Sequence, residues 1–328
     1  MHAVMERELT IAMVFPGQGS QAQGMQADLA AEYPVVQETY ATASEVLGYD
    51  LWELVQTGSA ERLAETVVTQ PAMLAAGVAA YRVWGDAGGT TPSQMAGHSL
   101  GEYTALVCAG AVDFVDAMRV VKHRSELMQE AMPVGIGAMA AVLGLDDDKI
   151  ISLCDEASTI GIAEPVNFNS PGQVVIAGHA TAVAQAVEYA KEHGARRAIV
   201  LPVSVPSHSS LMREAGLSLA ETLDATQFSP PSIPVVNAAT AVPYTDAADI
   251  RTKLSAQVYS PVLWVRTVEA MLEAGATSII ECGPGKILAG LVRRIAKGTE
   301  VGFIDNLKSL RNALQNSVYR QATRIFHE

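Results

Sequence analysis

Residues 97–101 read Gly97-His98-Ser99-Leu100-Gly101, a GxSxG pentapeptide between a brief apolar run and an apolar, helix-forming stretch. Chemistry needs that setting. A sharp strand-to-helix turn lifts the serine hydroxyl clear of the backbone, and small residues on either side let the turn close. Ser99 is therefore a candidate nucleophile, and the N–H groups at the following helix start point to where an oxyanion would form. The plainer alternative is a glycine-lined helix start with Ser99 as its cap.

A serine hydroxyl is a weak nucleophile until a base removes its proton. Of the 7 histidines, His98 projects away from its neighbour, His123 falls inside a helical stretch, and His2 and His327 are terminal. His179 and His193 flank a helix at positions that read as surface. His208 differs, because it follows a strand in VSVPSHSS, on a proline-constrained loop of the kind where α/β sheets place functional groups. The Ser-acid-His order of the hydrolase template would place a strand-end carboxylate between Ser99 and His208. None is evident: Asp155 and Glu164 fall in a separate small unit, and Asp113 and Asp116 read as helix-start residues. A backbone carbonyl would serve, since the ring needs an acceptor rather than a charge.

Four further segments carry residues that could do chemistry. The loop Phe15-Pro16-Gly17-Gln18-Gly19-Ser20-Gln21 follows the first strand, yet its glycines do not space as GxGxxG and no Walker lysine follows. Such a loop either turns the chain or presents a backbone N–H, that of Gln18, near Ser99. Arg124 sits in a helical stretch, where an arginine is ordinarily solvated. The triplet Asp146-Asp147-Asp148 reads as helix capping rather than a metal site, and ECGPGK at 281–286 reads as a turn into a helix.

The elements that must position these residues follow from periodicity. LTIAMVF at 9–15 reads as a buried strand, helices are expected at 34–47, 71–85 and 113–131, and a brief strand precedes Ser99. The alternation indicates an α/β architecture with a mainly parallel sheet. Between 135 and 202 the order becomes βαββαβ, that of a ferredoxin-like unit inserted in the larger body. The chain thus divides into a discontinuous body, 1–134 and 203–316, the insertion 135–202, and a tail 317–328 of unknown role.

Composition sets outer bounds. Hydrophobic residues are 49% and charged residues 17% of 328, which excludes intrinsic disorder. A net charge of −13 has the wrong sign for a protein whose main task is gripping nucleic acid. Cys108, Cys154 and Cys282 form no CxxC pair and no closed disulfide framework, which fits a reducing cytoplasm. No secretion signal or membrane-spanning run is evident.

Taken together, FPGQGSQ at 15–21, QPAMLA at 70–75, GHSLGEYTALVCAGA at 97–111, HRSELMQEAMP at 123–133, NFNSPGQVVIAG at 167–178, VPSHS at 205–209, QVYSPVLW at 257–264 and ECGPGKIL at 281–288 resemble the malonyl-CoA:acyl carrier protein transacylases of fatty-acid synthesis. The resemblance runs in unbroken order over roughly 9–312. It implies an α/β-hydrolase-like body with a ferredoxin-like insertion. It also implies Ser99 as the acylated nucleophile, His208 as its base, the main-chain carbonyl of Gln257 as the group orienting that histidine, the N–H groups of Gln18 and Leu100 as the oxyanion hole, and Arg124 as the partner of the malonyl carboxylate. The implied partners are malonyl-CoA and acyl carrier protein, with no metal or redox cofactor required. Lys286, Arg293, Arg294 and Lys297 are candidates for meeting the acidic carrier. Ser125 stands where many relatives have glycine, and Ser207 before His208 resembles the stand-alone enzymes. Three other readings stay open on sequence: a serine hydrolase or thioesterase sharing the nucleophile, a noncatalytic glycine-loop binding module, and a malonyl transferase serving malonate decarboxylation.

Overall fold

The computed structural model describes residues 10–133, 135–203 and 205–325. The N-terminal reading, His2, His327 and the last residues of the tail lie outside the described residues, as do Val134 and Ser204 near the joints of the expected insertion.

A six-stranded sheet is built from β1 (Ile11–Phe15), β2 (Gln94–Gly97), β7 (Val235–Asn237), β8 (Val242–Pro243), β9 (Ser278–Cys282) and β10 (Glu300–Ile304), in the order β10-β9-β1-β2-β7-β8. All neighbours pair in parallel except the edge strand β8. β1 is buried along its whole length, as a strand covered on both faces must be. Its side chains alternate between two cores: Ile11, Met13 and Phe15 join one, while Ala12 and Val14 join the other. That two-sided burial is why the run reads as continuously apolar.

Long helices supply the first of those cores. Thr66–Asp86 lies against Val35–Leu47 and Phe114–Glu130. The helix expected over 71–85 begins earlier, at Thr66, and carries Pro71 inside it. Pro71 is the sixth residue of that helix, past the free N–H groups of its first turn, so its ring forgoes one i→i−4 bond and burial in the core carries the helix through it. Phe114–Glu130 starts where expected, with the Asp113 carboxylate accepting from Val115 N–H at 2.8 Å.

The second sheet consists of β3 (Gly137–Leu143), β4 (Ala163–Ser170), β5 (Gln173–His179) and β6 (Arg197–Val200), ordered β4-β5-β3-β6 and antiparallel throughout. With helices Asp147–Ala157 and Ala180–Glu192 in the connections, this is the ferredoxin-like arrangement. Ala138, Ala140 and Val142 of β3 face these helices, whereas Met139 faces the opposite, smaller cluster with Val166, Val175 and Ala177. The sheet is tied to the large body through β4: Phe168 N–H donates to Val262 O at 2.9 Å, and Val262 N–H donates to Val166 O at 2.8 Å. Asp146 caps its helix by accepting from Lys149 N–H, as the sequence suggested for the acidic triplet. The last helix, Leu307–Ile325, runs on past 317. No helix among the described residues is long and apolar enough to cross a membrane.

Candidate active site

The nucleophile turn connects β2 to helix Gly101–Cys108 and lies against the loop after β1. Ser99 has φ 54°, a left-handed conformation that a side-chain-bearing residue enters at a cost of about 1–2 kcal/mol. The approach of the two loops is tight. A Cβ on Gly101 would fall 2.1 Å from Phe15 O, and one on Gly17 would fall 2.5 Å from His98 O and 3.7 Å from Leu100 N. Glycine at these two positions is therefore required for the loop carrying Gln18 to lie beside the Ser99-Leu100 turn. Neither the Gln18 nor the Leu100 N–H donates to a backbone carbonyl among the described residues.

His208 reaches this turn from the loop after β6, and it too has a left-handed backbone, φ 68°. The Ser99 hydroxyl donates to His208 Nε2 at 2.7 Å. On the other side of the ring, Nδ1 donates to Gln257 O at 2.9 Å and to Ser260 O at 3.1 Å. Carbonyl oxygens only accept, so Nδ1 carries the proton and Nε2 presents its lone pair to Ser99. No carboxylate contacts the imidazole among the described residues. Two main-chain carbonyls stand where the hydrolase template has an acid. Burial pushes the His208 pKa down to about 3, and the nearby Arg124 charge pushes the same way against the two carbonyls. The ring is thus a neutral base at physiological pH.

Arg124 overturns the helix-surface expectation, for it is only 1% exposed. Along Phe114–Glu130 the buried face runs Ala117, Val120, Val121, Arg124 and Met128, so the arginine occupies an apolar stripe position. Its fork is held by neutral oxygens: Nη1 donates to Gln70 Oε1 at 2.5 Å and Nη2 to Gln257 Oε1 at 2.9 Å. Nη2 also lies 3.3 Å from Ser99 Oγ, Nε has no acceptor among the described residues, and the guanidinium sits 5.5 Å from the Tyr103 ring centroid. Burial lowers its pKa, opposed by Tyr103 and Glu102. A buried cation that no carboxylate contacts among the described residues, beside a nucleophile, is suited to an anionic group on the substrate.

Three groups escaped the sequence reading. Gln70 lies in the QPAMLA segment, whose motif drew notice without a role. The side chain of Gln257 donates through Nε2 to Ser99 O at 2.8 Å while its Oε1 accepts from Arg124. Glu102, directly after Gly101, is fully buried and accepts from Asn237 Nδ2 at 2.9 Å, Ala238 N–H at 3.0 Å and the Tyr244 hydroxyl. Burial pushes the Glu102 carboxyl up, and these donors with the Gln257 amide pull it back. The side chain of His98 turns away from Ser99: its Nε2 donates to Asn169 Oδ1 of β4 at 2.8 Å, and its ring lies 5.4 Å from that of Trp264. Glu164, also on β4, accepts from Ser210 N–H at 2.7 Å and from its hydroxyl at 2.8 Å, fastening the His208 loop to the small sheet.

The turn-only reading of ECGPGK needs amendment, because Glu281 is wholly buried and caps the next helix by accepting from Ala289 N–H at 2.7 Å. Lys286, Arg293, Arg294 and Lys297 are all exposed around helix Ile287–Ile295, with Arg294 Nη1 reaching Gln173 Oε1 of β5 at 2.5 Å.

This geometry has close relatives. The acyl transferase domain model matches residues 12–308. The chain belongs to the acyl transferase family. It is 53% identical over 304 residues to the malonyl CoA-acyl carrier protein transacylase of Escherichia coli K12, covering 93% of this chain and 98% of that one. It is 42% identical to the protein of the same name from Bacillus subtilis, covering 93% and 96%. Among solved structures, a malonyl-transacylase in complex with a type II PKS acyl-carrier protein superimposes with a TM-score of 0.92 at 52% identity, covering 94% of this chain and 99% of that chain. An acyl carrier protein S-malonyltransferase from Vibrio cholerae gives 0.90 at 53% identity, covering 92% and 99%. As a member of this family the protein is an acyltransferase.

Proposed function

We propose that the protein transfers the malonyl group from malonyl-CoA to the phosphopantetheine thiol of acyl carrier protein through a malonyl ester on Ser99, in fatty-acid synthesis. The observation that carries this reading is the Arg124 guanidinium, buried, contacted by no carboxylate among the described residues and 3.3 Å from the Ser99 hydroxyl. An acyl group ending in a carboxylate supplies what that arginine lacks.

The steps follow from the proton positions. His208 Nε2 takes the Ser99 proton as Oγ attacks the thioester carbonyl, and the N–H groups of Gln18 and Leu100 stabilise the oxyanion, each such donor being worth about 10²–10³ in rate. Collapse breaks the C–S bond, and Nε2–H returns the proton to the departing CoA thiol. The carrier thiol then gives its proton to Nε2 and attacks the ester. Collapse of the second intermediate frees Ser99, which recovers its proton from the same nitrogen. Proton transfer of this kind contributes roughly 10²–10⁴-fold. When the malonyl carboxylate neutralises Arg124, the positive field on His208 weakens, so the ring becomes more basic as proton transfer begins.

Intact-mass analysis after mixing with malonyl-CoA tests this directly. The expected result is one added malonyl group, absent in Ser99→Ala and discharged by holo acyl carrier protein faster than by water. No adduct on the wild-type protein, an adduct that survives in Ser99→Ala, or discharge by water that outruns the carrier would each reject the reading.

A further inference from the structure

The carboxamide of Gln257 joins three groups that the reaction has to keep in register. Its Oε1 accepts from Arg124 Nη2 at 2.9 Å, its Nε2 donates to Ser99 O at 2.8 Å, and the buried Glu102 carboxyl is its neighbour. The main chain of the same residue separately holds His208. Gln257 is itself 1% exposed, so its amide has little freedom to turn elsewhere.

The charges around the amide make its neutrality informative. Glu102 is the acid that acts on Arg124 through space, yet its oxygens are bound by Asn237, Ala238 and Tyr244 and do not contact the guanidinium. A direct contact would be an Arg-carboxylate pair, the strongest side-chain partner an arginine finds. It would spend the fork that a substrate carboxylate needs. An amide oxygen satisfies one N–H of the fork without cancelling its charge, and the Nε2 end pins the amide to the carbonyl of the strained nucleophile turn.

We infer that the neutrality of the Gln257 side chain is a specificity determinant: the amide answers one N–H of Arg124 while leaving the guanidinium charged and free of an internal carboxylate, so that the site selects acyl groups ending in a carboxylate. This deepens the proposed malonyl transfer and rests on it. The main-chain carbonyl at 257 is retained in any substitution, so the side chain can be tested apart from the support of His208.

Two near-isosteric variants separate the roles. Gln257→Glu puts an anion on Arg124, and the expected result is a fall of about thirty-fold or more in the ratio of malonyl to acetyl kcat/KM, carried mainly by KM for malonyl-CoA. Gln257→Met removes the hydrogen bonds but adds no charge, and the ratio is expected to stay within about threefold of wild type even as both rates decline. Free malonate should slow fluorophosphonate labelling of Ser99 in wild type and Gln257→Met but not in Gln257→Glu. A ratio unmoved in Gln257→Glu, or lost equally in Gln257→Met, overturns the inference and leaves the amide as simple scaffolding. Should Gln257→Glu fail to fold, Gln70→Glu, which sets an anion on the other nitrogen of the fork, carries the same expected fall in the ratio and is overturned by the same unmoved ratio. A wild-type protein that takes no malonyl group is a different outcome, one that removes the malonyl-transfer reading itself.

Discussion

Replacing Arg124 by alanine isolates the group proposed to distinguish a malonyl from an acetyl donor. In the folded protein the side chain is 1% exposed and makes contacts that any substrate would find in place: Gln70, Gln257, the Ser99 hydroxyl and the Tyr103 ring. Losing those contacts, and leaving the two amide oxygens without their donor, lowers turnover of every acyl donor alike. The ratio of malonyl to acetyl kcat/KM cancels that shared loss. What remains is one charge-assisted pair in a buried setting, worth roughly 2–5 kcal/mol when one partner is removed. At 1.4 kcal/mol per tenfold, the ratio should fall by about 30- to 4,000-fold. The assay is steady-state transfer to holo acyl carrier protein from each donor, with intact-mass scoring of the acyl-serine at single turnover to separate acylation from discharge. Arg124→Lys should recover only part of the preference, since an ammonium retains the charge without the planar fork. Equal losses for malonyl and acetyl, to within a factor of about three, would show that the arginine holds the site together but does not read the carboxylate.

Two other outcomes follow from the same geometry. Ser99→Ala and Ser99→Gly both delete the hydroxyl bonded to His208, but only glycine relaxes the φ of 54°, so the glycine variant should be more stable by about 1–2 kcal/mol in urea titration. Equal midpoints would mean that the turn carries no strain. His208, with a native pKa of about 3, binds no proton where the unfolded chain does, between the unfolded value of about 6.5 and about 3. Its contribution is therefore fully present above pH 6.5 and is lost toward acid at up to ~1.4 kcal/mol per pH unit. A His208→Asn variant should show a shallower decline between pH 6.5 and 4.5, and parallel curves for the two proteins would contradict the buried, neutral ring.

Much of this was legible before any coordinates. The strands around Ser99 announced themselves because β1 is sandwiched between two cores and so is apolar at every position, and the tighter βαββαβ spacing told the small sheet from the large one. The GxSxG turn was readable because its constraint is local: a left-handed serine flanked by glycines whose missing Cβ atoms let two backbones meet. The helix expected over 71–85 instead starts at Thr66, because Thr66, Val68, Thr69 and Gln70 are buried and packing extends it past the apolar stretch that announced it.

What the chain determined by itself was the set of parts and their order: a nucleophile on a turn, a histidine on a distant loop, glycines where backbones touch. What only the tertiary structure decided was who stands across from whom. Ser99 and His208 are 109 residues apart, Arg124 and Gln257 133, and Ser99 and Gln257 158. No periodicity encodes those pairings. Whether an arginine on a helix is solvated or buried beside a nucleophile, and whether an amide or a carboxylate answers it, is set by long-range burial, which removes water as the alternative partner and makes each remaining contact count.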